Sequence, residues 1–204
     1  MTRSSTIQSK PRLVSPGKAL AMLIEGNRKY VAGHRKHPRD FVGRLTQVAF
    51  GQNPFAVVLG CADSRVPVEM IFHVGLGDLF VVRVAGNVAD NTVIGSIEFA
   101  VEQLGTRLVV VLGHERCGAI TAALNGRRAK GHIGTLLEHL KPVVKKVRNQ
   151  KGDTLDLAVR LNAVQIAKKL MRSRPILSKA VASGKIKIVA ARYDLDDGIV
   201  EFLA

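Results

Sequence analysis

The stretch PFAVVLGC, residues 54–61, is a short apolar run that ends in a cysteine. A second run of the same kind, TRLVVVLGH at 106–114, ends in a histidine. Continuous apolar runs of this length, without alternating polar residues, are typical of parallel strands that helices cover on both faces. The two runs therefore predict neighbouring central strands, each ending in a residue type that binds metals.

Strands and helices alternate on both sides of these two runs. We predict a further strand at 78–86, another at 185–195, and helices at 67–72, 91–105, 117–124, 132–149, 154–173 and 175–183. The turn signal at 196–198 is followed by IVEFL at 199–203, which predicts a hairpin. The pattern indicates an α/β fold with a mostly parallel sheet of order 2-1-3-4 and an antiparallel edge strand 5.

The first fifty residues predict a helical arm in front of the sheet. Ser15 and Pro16 form a helix start with serine as N-cap, and Gly33 is a stop signal. A second short helix is predicted at about 40–50. Between the start and the stop, four residues recur at helical spacing: Leu20, Leu23, Ile24 and Tyr30. We expect this face to be covered in part by a second copy of the chain.

Net charge is the unusual property of this composition. The 204 residues carry a formal net charge of +15, and residues 121–187 alone hold sixteen Lys/Arg against three Asp/Glu. Solvated basic helices are the simplest interpretation; nucleic-acid binding and attraction of an anionic substrate are the alternatives. No basic motif interleaved with aromatic residues supports nucleic-acid binding, so we expect no nucleic-acid partner.

A membrane or secretory location is not indicated. No apolar run approaches the ~20 residues that span a bilayer. The N-terminus has a basic start but no apolar stretch of signal-peptide type. We expect a cytoplasmic protein without a membrane partner, and in that compartment the two cysteines favour metal binding over a disulfide.

Cys61, His114 and Cys117 form the strongest chemical signal. His114 and Cys117 are three residues apart after one strand, and Cys61 ends the neighbouring strand. In a sheet of order 2-1-3-4-5, the carboxyl ends of strands 1 and 3 border the ligand crevice. Two thiolates and one imidazole suit zinc and leave a fourth position for water. Two buried free cysteines and a satisfied histidine are the alternative.

Asp63 and Arg65 follow Cys61 on the same loop. As surface groups they would form an ion pair worth roughly 0–1 kcal/mol. Beside zinc, the aspartate would have a role, either as a fourth ligand in a closed form or as hydrogen-bond acceptor from hydroxide, with Arg65 holding it away from the metal.

The pattern Cys-x-Asp-x-Arg, followed later by His-x-x-Cys, resembles the β-class carbonic anhydrase family. The likeness extends through GQNPF, CADSRVPVE, GLGDLFVVRVAGN, SIEFAV, GHERCGA and YDLDDGIVEFL, and it starts in the arm. It implies reversible hydration of carbon dioxide to bicarbonate and a proton by zinc-bound hydroxide. It also implies a homodimer or higher even oligomer, with 1–52 as dimerising arm and 53–204 as a single α/β zinc-binding catalytic domain.

The resemblance also implies the role of individual residues. Cys61, His114 and Cys117 match the zinc ligands, and Asp63 and Arg65 match a catalytic dyad. The matched substrate-binding residues are Gln52 (acting across the dimer interface), Phe80, Ala85, Phe99 and the Gly118 backbone N–H.

Three positions depart from common family patterns. Phe99 stands where many members have tyrosine, and His73 where bacterial relatives often have aspartate. Val58 replaces a tryptophan that accompanies Arg83 and Tyr193 in the bicarbonate-regulated subgroup, so we expect the unregulated subgroup.

Two alternative functions remain open at the level of sequence. Relatives of this fold hydrolyse carbonyl sulfide or carbon disulfide at the same kind of metal site. A basic nucleic-acid-binding protein with a structural zinc would need a closed four-ligand site, for which the chain has only two cysteines and no second histidine at finger spacing.

Overall fold

Five strands form one sheet in the computed structural model, which describes residues 13–34, 41–126 and 129–203. The strands are β1 (Ala56–Gly60), β2 (Leu79–Arg83), β3 (Leu108–His114), β4 (Lys187–Tyr193) and β5 (Val200–Leu203). Their order is β2-β1-β3-β4-β5, with the first four parallel and β5 antiparallel to β4. The predicted fold class and strand order are confirmed.

Helices connect the strands and cover both faces of the sheet. The described residues contain α1 (Pro16–Val31), α2 (Phe41–Val48), α3 (Val68–Ile71), α4 (Asn91–Glu102), α5 (Gly118–Leu124), α6 (Ile133–Val147), α7 (Thr154–Met171) and α8 (Ile176–Ala182). A short 3₁₀ helix at Ala85–Asn87 follows β2. The predicted strand at 78–86 was therefore too long, because Gly86 has φ of 67° and ends the extended backbone.

The start of α1 follows the sequence signal closely. Ser15 accepts a hydrogen bond from the Lys18 backbone N–H at 3.3 Å, and Pro16 begins the helix. Leu23 is fully buried in the same core as Val58 of β1, while Ile24 on the neighbouring side is 40% exposed. One side of α1 therefore belongs to the core of its own chain, and another side faces outward.

The two central strands are buried along their whole length, as continuous apolar runs predict. Val58 and Val110 point into one core, and Val57 and Val109 into the core on the opposite face. The register pairs Gly60 of β1 with Leu112 of β3. Cys61 and His114 consequently emerge at the same edge of the sheet, one just beyond β1 and the other at the end of β3.

Close helix packing fixes the end of β3. A Cβ on Gly113 would lie 3.1 Å from a Val159 methyl group and 3.3 Å from the Val159 carbonyl oxygen. Glycine at this position lets α7 approach the strand directly before His114. No helix among the described residues is both long and apolar enough to cross a membrane.

Candidate active site

Three metal-binding side chains meet at the carboxyl edge of the sheet. The ligand atoms of Cys61, His114 and Cys117 all lie within 4.8 Å of one another, and all three residues are buried. Both cysteines are free thiols. The structure thus brings together the donor set that the sequence predicts from three positions spread over two strand ends.

The histidine is oriented for metal binding. Its Nδ1 lies 2.8 Å from the Glu115 backbone carbonyl oxygen, and because a carbonyl only accepts, Nδ1 carries the proton. Its Nε2 is then a buried acceptor, and it has no hydrogen-bond partner among the described residues. In a metal-binding histidine, the ring nitrogen that does not bind the metal usually donates a hydrogen bond to a carbonyl or carboxylate, which fixes the ring. A metal ion at Nε2 would satisfy the acceptor that is left without a partner.

The two thiols share one proton more easily than they hold two negative charges. Their mutual hydrogen bond lowers the pKa of Cys61 well below its usual range, against the effect of burial, and raises the pKa of Cys117, with burial adding to the rise. The Gly86 backbone N–H also points at the Cys61 sulfur, 3.3 Å away. A second thiolate in this buried site requires a cation beside it, so the chemistry of the donors fits a divalent metal ion.

Asp63 and Arg65 form a tightly bound pair beside this cluster. Arg65 donates to both carboxylate oxygens, Nε to Oδ1 at 2.9 Å and Nη2 to Oδ2 at 2.8 Å. The Arg65 hydrogen bonds hold the pKa of Asp63 well below its usual range. Asp63 Oδ2 is 3.8 Å from His114 Nε2, so the carboxylate stands next to the donor cluster and is turned towards the arginine.

A second arginine anchors the backbone of the same loop. Arg83, at the end of β2, donates Nε to the Cys61 carbonyl at 2.9 Å and Nη2 to the Asp63 carbonyl at 2.5 Å. The loop that carries the first ligand and the dyad is therefore fixed to the neighbouring strand. Of the three positions compared above with the bicarbonate-regulated subgroup, Arg83 is engaged in this contact and Val58 is fully buried. The third is Tyr193, whose hydroxyl lies 3.2 Å from that of Tyr30.

Arg116, between the two ligands on the second loop, has a role that the sequence did not reveal. It has φ of 50°, which strains a residue with a side chain. Its guanidinium makes two hydrogen bonds to Asp196 in the β4–β5 turn, at 2.8 and 2.6 Å, and its carbonyl accepts from Arg65 Nη2 at 3.3 Å. The pair thus links the hairpin turn, the ligand loop and the dyad.

Apart from Gln52, the residues expected to bind the substrate lie on four separate elements. The rings of Phe80 on β2 and Phe99 on α4 have centroids 6.5 Å apart, and Phe99 is 51% exposed. Ala85 starts the 3₁₀ helix, and Gly118 is the first residue of α5, with its backbone exposed.

Gln52 and His73 lie on loops. Gln52 is exposed on the loop before β1 and makes no hydrogen bond within the described part of the chain. His73 has φ of 47°, and its ring centroid is 6.4 Å from that of His34.

A second group of possible ligands is made of carboxylates. Glu115, Asp194 and Asp196 also have oxygens within 4.8 Å of one another. These carboxylates are engaged by arginines, however, with Arg116 contacting Glu115 and Asp196 and Arg192 contacting Glu115 and Asp194. The group is an ion-pair network that supports the ligand loop.

A set of two cysteines and one histidine at the carboxyl ends of adjacent parallel strands is typical of metal-binding α/β enzymes. The carbonic anhydrase family model matches residues 56–200. The chain belongs to the β class of this family, whose members catalyse the reversible hydration of carbon dioxide.

Sequence relatives and solved structures agree with this assignment. The chain is 42% identical to carbonic anhydrase 2 of Mycobacterium tuberculosis over 188 residues, covering 90% of this chain and 91% of that protein. It is 38% identical to the carbonic anhydrase of Mycolicibacterium smegmatis over 191 residues, covering 92% and 93%.

Among solved structures, a tetrameric β-carbonic anhydrase of Sordaria macrospora superposes with a TM-score of 0.74 at 27% identity, over 91% of this chain and 96% of that one. None of these three proteins supports the sulfur-substrate hydrolase or the nucleic-acid-binding alternative.

Proposed function

We propose that this chain is a zinc-dependent carbonate dehydratase that interconverts carbon dioxide and bicarbonate. The observation that carries the proposal is the buried set of Cys61, His114 and Cys117 ligand atoms within 4.8 Å of one another, in a chain of the β-carbonic anhydrase family. The buried His114 Nε2 has no hydrogen-bond partner among the described residues, and a zinc ion bound to it would satisfy this acceptor.

Cys61, His114 and Cys117 would hold the zinc ion, which would supply Lewis-acid activation of water by lowering its pKa towards neutrality. Because Arg65 binds both oxygens of Asp63, this carboxylate would not serve as a further ligand to such an ion. The structure therefore supports a resting state in which Asp63 is paired with Arg65, and a closed form would require that pair to break.

Asp63 is suited to orient the nucleophile. Its pKa is held low by Arg65, so the carboxylate remains an anion throughout the neutral range and can only accept hydrogen bonds. Accepting the O–H of the nucleophile aims the oxygen lone pair at carbon dioxide. Arg65 positions Asp63 for this task and is itself positioned by the Arg116 carbonyl.

The remaining residues bind the substrate. Phe80, Ala85 and Phe99 provide an apolar wall, which suits a small molecule without a net dipole and excludes water. The Gly118 N–H and the Gln52 side chain of a neighbouring copy donate hydrogen bonds to the oxygens as negative charge develops on them. The exposure of Gln52 and the half-exposed ring of Phe99 in one chain support a site completed by a second copy.

A homodimer or higher even oligomer in the cytoplasm is part of the proposal. Large apolar side chains remain exposed on the N-terminal helices and next to the site: Ile24, Val31, Leu45, Phe50 and Phe99. Their exposure in a single chain supports the proposal that a second copy covers part of this surface. The division into a dimerising arm at 1–52 and a catalytic domain at 53–204 fits this arrangement, although α1 also contributes Leu23 to the core.

Carbon dioxide hydration measured by stopped flow, before and after removal of metal with a chelator, tests the proposal. We expect hydration activity with about one zinc per chain, its loss on chelation and its return on adding zinc. A zinc-loaded protein without hydration activity would contradict the proposal. The same preparation should not turn over carbon disulfide.

A further inference from the structure

An open cleft that shares no lining residue with the Cys61–His114–Cys117 cluster lies between α6, α7 and the start of α4. Its volume is about 570 Å³. Four basic residues line it: Lys146 near the end of α6, Lys168 and Lys169 near the end of α7, and Arg172 just beyond. These four residues belong to the basic segment 121–187, which has no part in the function described above. The cleft therefore brings four of its positive charges to one concave surface.

The four cations in this cleft lack acidic partners. Within residues 13–34, 41–126 and 129–203, none of them forms a salt bridge, and no Asp or Glu lines the cleft. Elsewhere in the same described part, arginines such as Arg65, Arg116 and Arg192 are each paired with carboxylates. Lys169 donates to the Ala89 carbonyl at 2.5 Å, which fixes its ammonium group without neutralising it.

Helix dipoles account for only part of this charge. Lys146, Lys168 and Lys169 lie in the last turns of their helices, where cations are favoured. Each helix end contributes about half a negative charge. Two such ends offset about one of the four positive charges, so the cleft retains a strong positive potential.

The wall of the cleft also contains a polar group without a partner among the described residues. The Nε2 of Gln165, which lines the cleft, is buried and has no hydrogen-bond partner among the described residues. A buried amide N–H group without an acceptor is destabilising. The Nε2 atom itself is shielded from the cleft, so a rotation of the Gln165 side chain would have to bring it to an anion oxygen there. The Ser173 hydroxyl lines the same cleft and offers a second neutral donor.

We propose that this cleft binds a small polyphosphate anion, either inorganic or the phosphate tail of a nucleotide. Four basic residues that line one cleft match an anion of three or four charges better than bicarbonate or a single phosphate. A single-stranded nucleic acid is disfavoured, because none of the described residues that line the cleft is an aromatic on which a base could stack.

Calorimetric titration of the zinc-loaded oligomer with sodium pyrophosphate and, separately, with ATP tests this site. We expect saturable binding, about one ligand per chain, that weakens steeply as salt is raised. The double variant K146E/K168E should bind at least about tenfold more weakly. Gln165→Leu, which keeps the side-chain size, should also weaken binding.

The matched control is K145E/K151E, which has the same net charge and changes two exposed lysines outside the cleft. It should bind like the wild type. Any heat released because pyrophosphate or ATP binds zinc would be the same in both double variants. Equal affinities of the two double variants, or no saturable binding of either ligand, would overturn the proposal. So would binding of an RNA duplex without binding of pyrophosphate or ATP. Because the readout is binding, its result is independent of carbon dioxide hydration.

Discussion

Arg65 donates two parallel hydrogen bonds to Asp63, from Nε to Oδ1 and from Nη2 to Oδ2. The backbone N–H of Arg65 adds a third, to Oδ1 at 3.0 Å. A bidentate pair of this kind fixes the carboxylate plane as well as its charge. Asp63 is consequently held next to His114 in a single orientation, with Oδ2 3.8 Å from His114 Nε2.

Replacing Asp63 by Asn should leave the zinc content unchanged and lower kcat/KM for carbon dioxide by roughly a hundredfold or more. The amide has lost the anionic acceptor and presents a donor towards one side. Arg65→Ala should act in the same direction, because the carboxylate is then free to turn. Glu138→Gln, an exposed change on α6, serves as control. Unchanged stopped-flow rates in both dyad variants would refute these roles.

Replacing Cys117 by Ser should remove most of the zinc. The serine hydroxyl does not ionise at neutral pH, so two of the three protein donors remain and affinity falls. Metal analysis after dialysis against a weak chelator measures this loss, and Asp63→Asn, which keeps all three donors, provides the comparison. A Cys117→Ser protein that retains a full complement of zinc would show that the ligand assignment is wrong.

Gln52 should act in the site of a neighbouring copy. Gln52→Ala alone should lower kcat/KM, and a mixed oligomer of Gln52→Ala and Asp63→Asn chains should regain activity, because one site of each mixed dimer then has both wild-type residues. Random mixing predicts recovery of about a quarter of wild-type activity. Subunit exchange followed by stopped-flow assay measures this. Activity no higher than the average of the two variants would place Gln52 in its own chain's site or outside both.

The Asp194–Arg192 pair should stabilise the fold at neutral pH but not in strong acid. The Arg192 hydrogen bond lowers the pKa of Asp194 from 3.8 to about 2. Because the folded pKa is lower than the unfolded one, the stabilisation is complete above pH 4 and is lost as the pH falls towards 2.

Asp194→Asn should therefore lower the free energy of unfolding by about 1–2 kcal/mol at pH 7, after allowance for partial exposure, and by much less near pH 2. Urea unfolding of the variant and wild type at each pH gives the difference, and metal loss in acid affects both proteins alike. Glu138→Gln should show little difference at any pH. A constant gap across this range would rule out Asp194 ionisation as its cause.

The sequence predicted the sheet order and the meeting of the three donors, because strand ends in a parallel sheet converge at one edge. It did not predict the Arg116–Asp196 pair, since that contact depends on the positive φ of Arg116 and on how the β4–β5 turn folds back over the ligand loop. The turn at Asp196 was visible only as a turn signal.

The N-terminal helix shows a different limit of sequence reasoning. Helical spacing identified Leu23 and Ile24 as members of one apolar face, yet Leu23 is fully buried in its own chain while Ile24 remains 40% exposed. Periodicity identifies an apolar face but not which core or which partner covers each part of it. Exposed Gln52 is a similar case, because its expected partner is outside the chain.

Asn27 connects α1 to residues near the end of the described chain, so its contacts can form only late in synthesis. Its Nδ2 donates to the Ile71 carbonyl at 3.2 Å and to the Gly198 carbonyl at 2.9 Å, and its Oδ1 accepts from the Val200 N–H at 2.9 Å. Two of these three bonds join positions more than 170 residues apart. A ribosome must therefore translate past Val200 before Asn27 can make all three of these hydrogen bonds. A nascent chain halted earlier should expose this helix to proteases and chaperones.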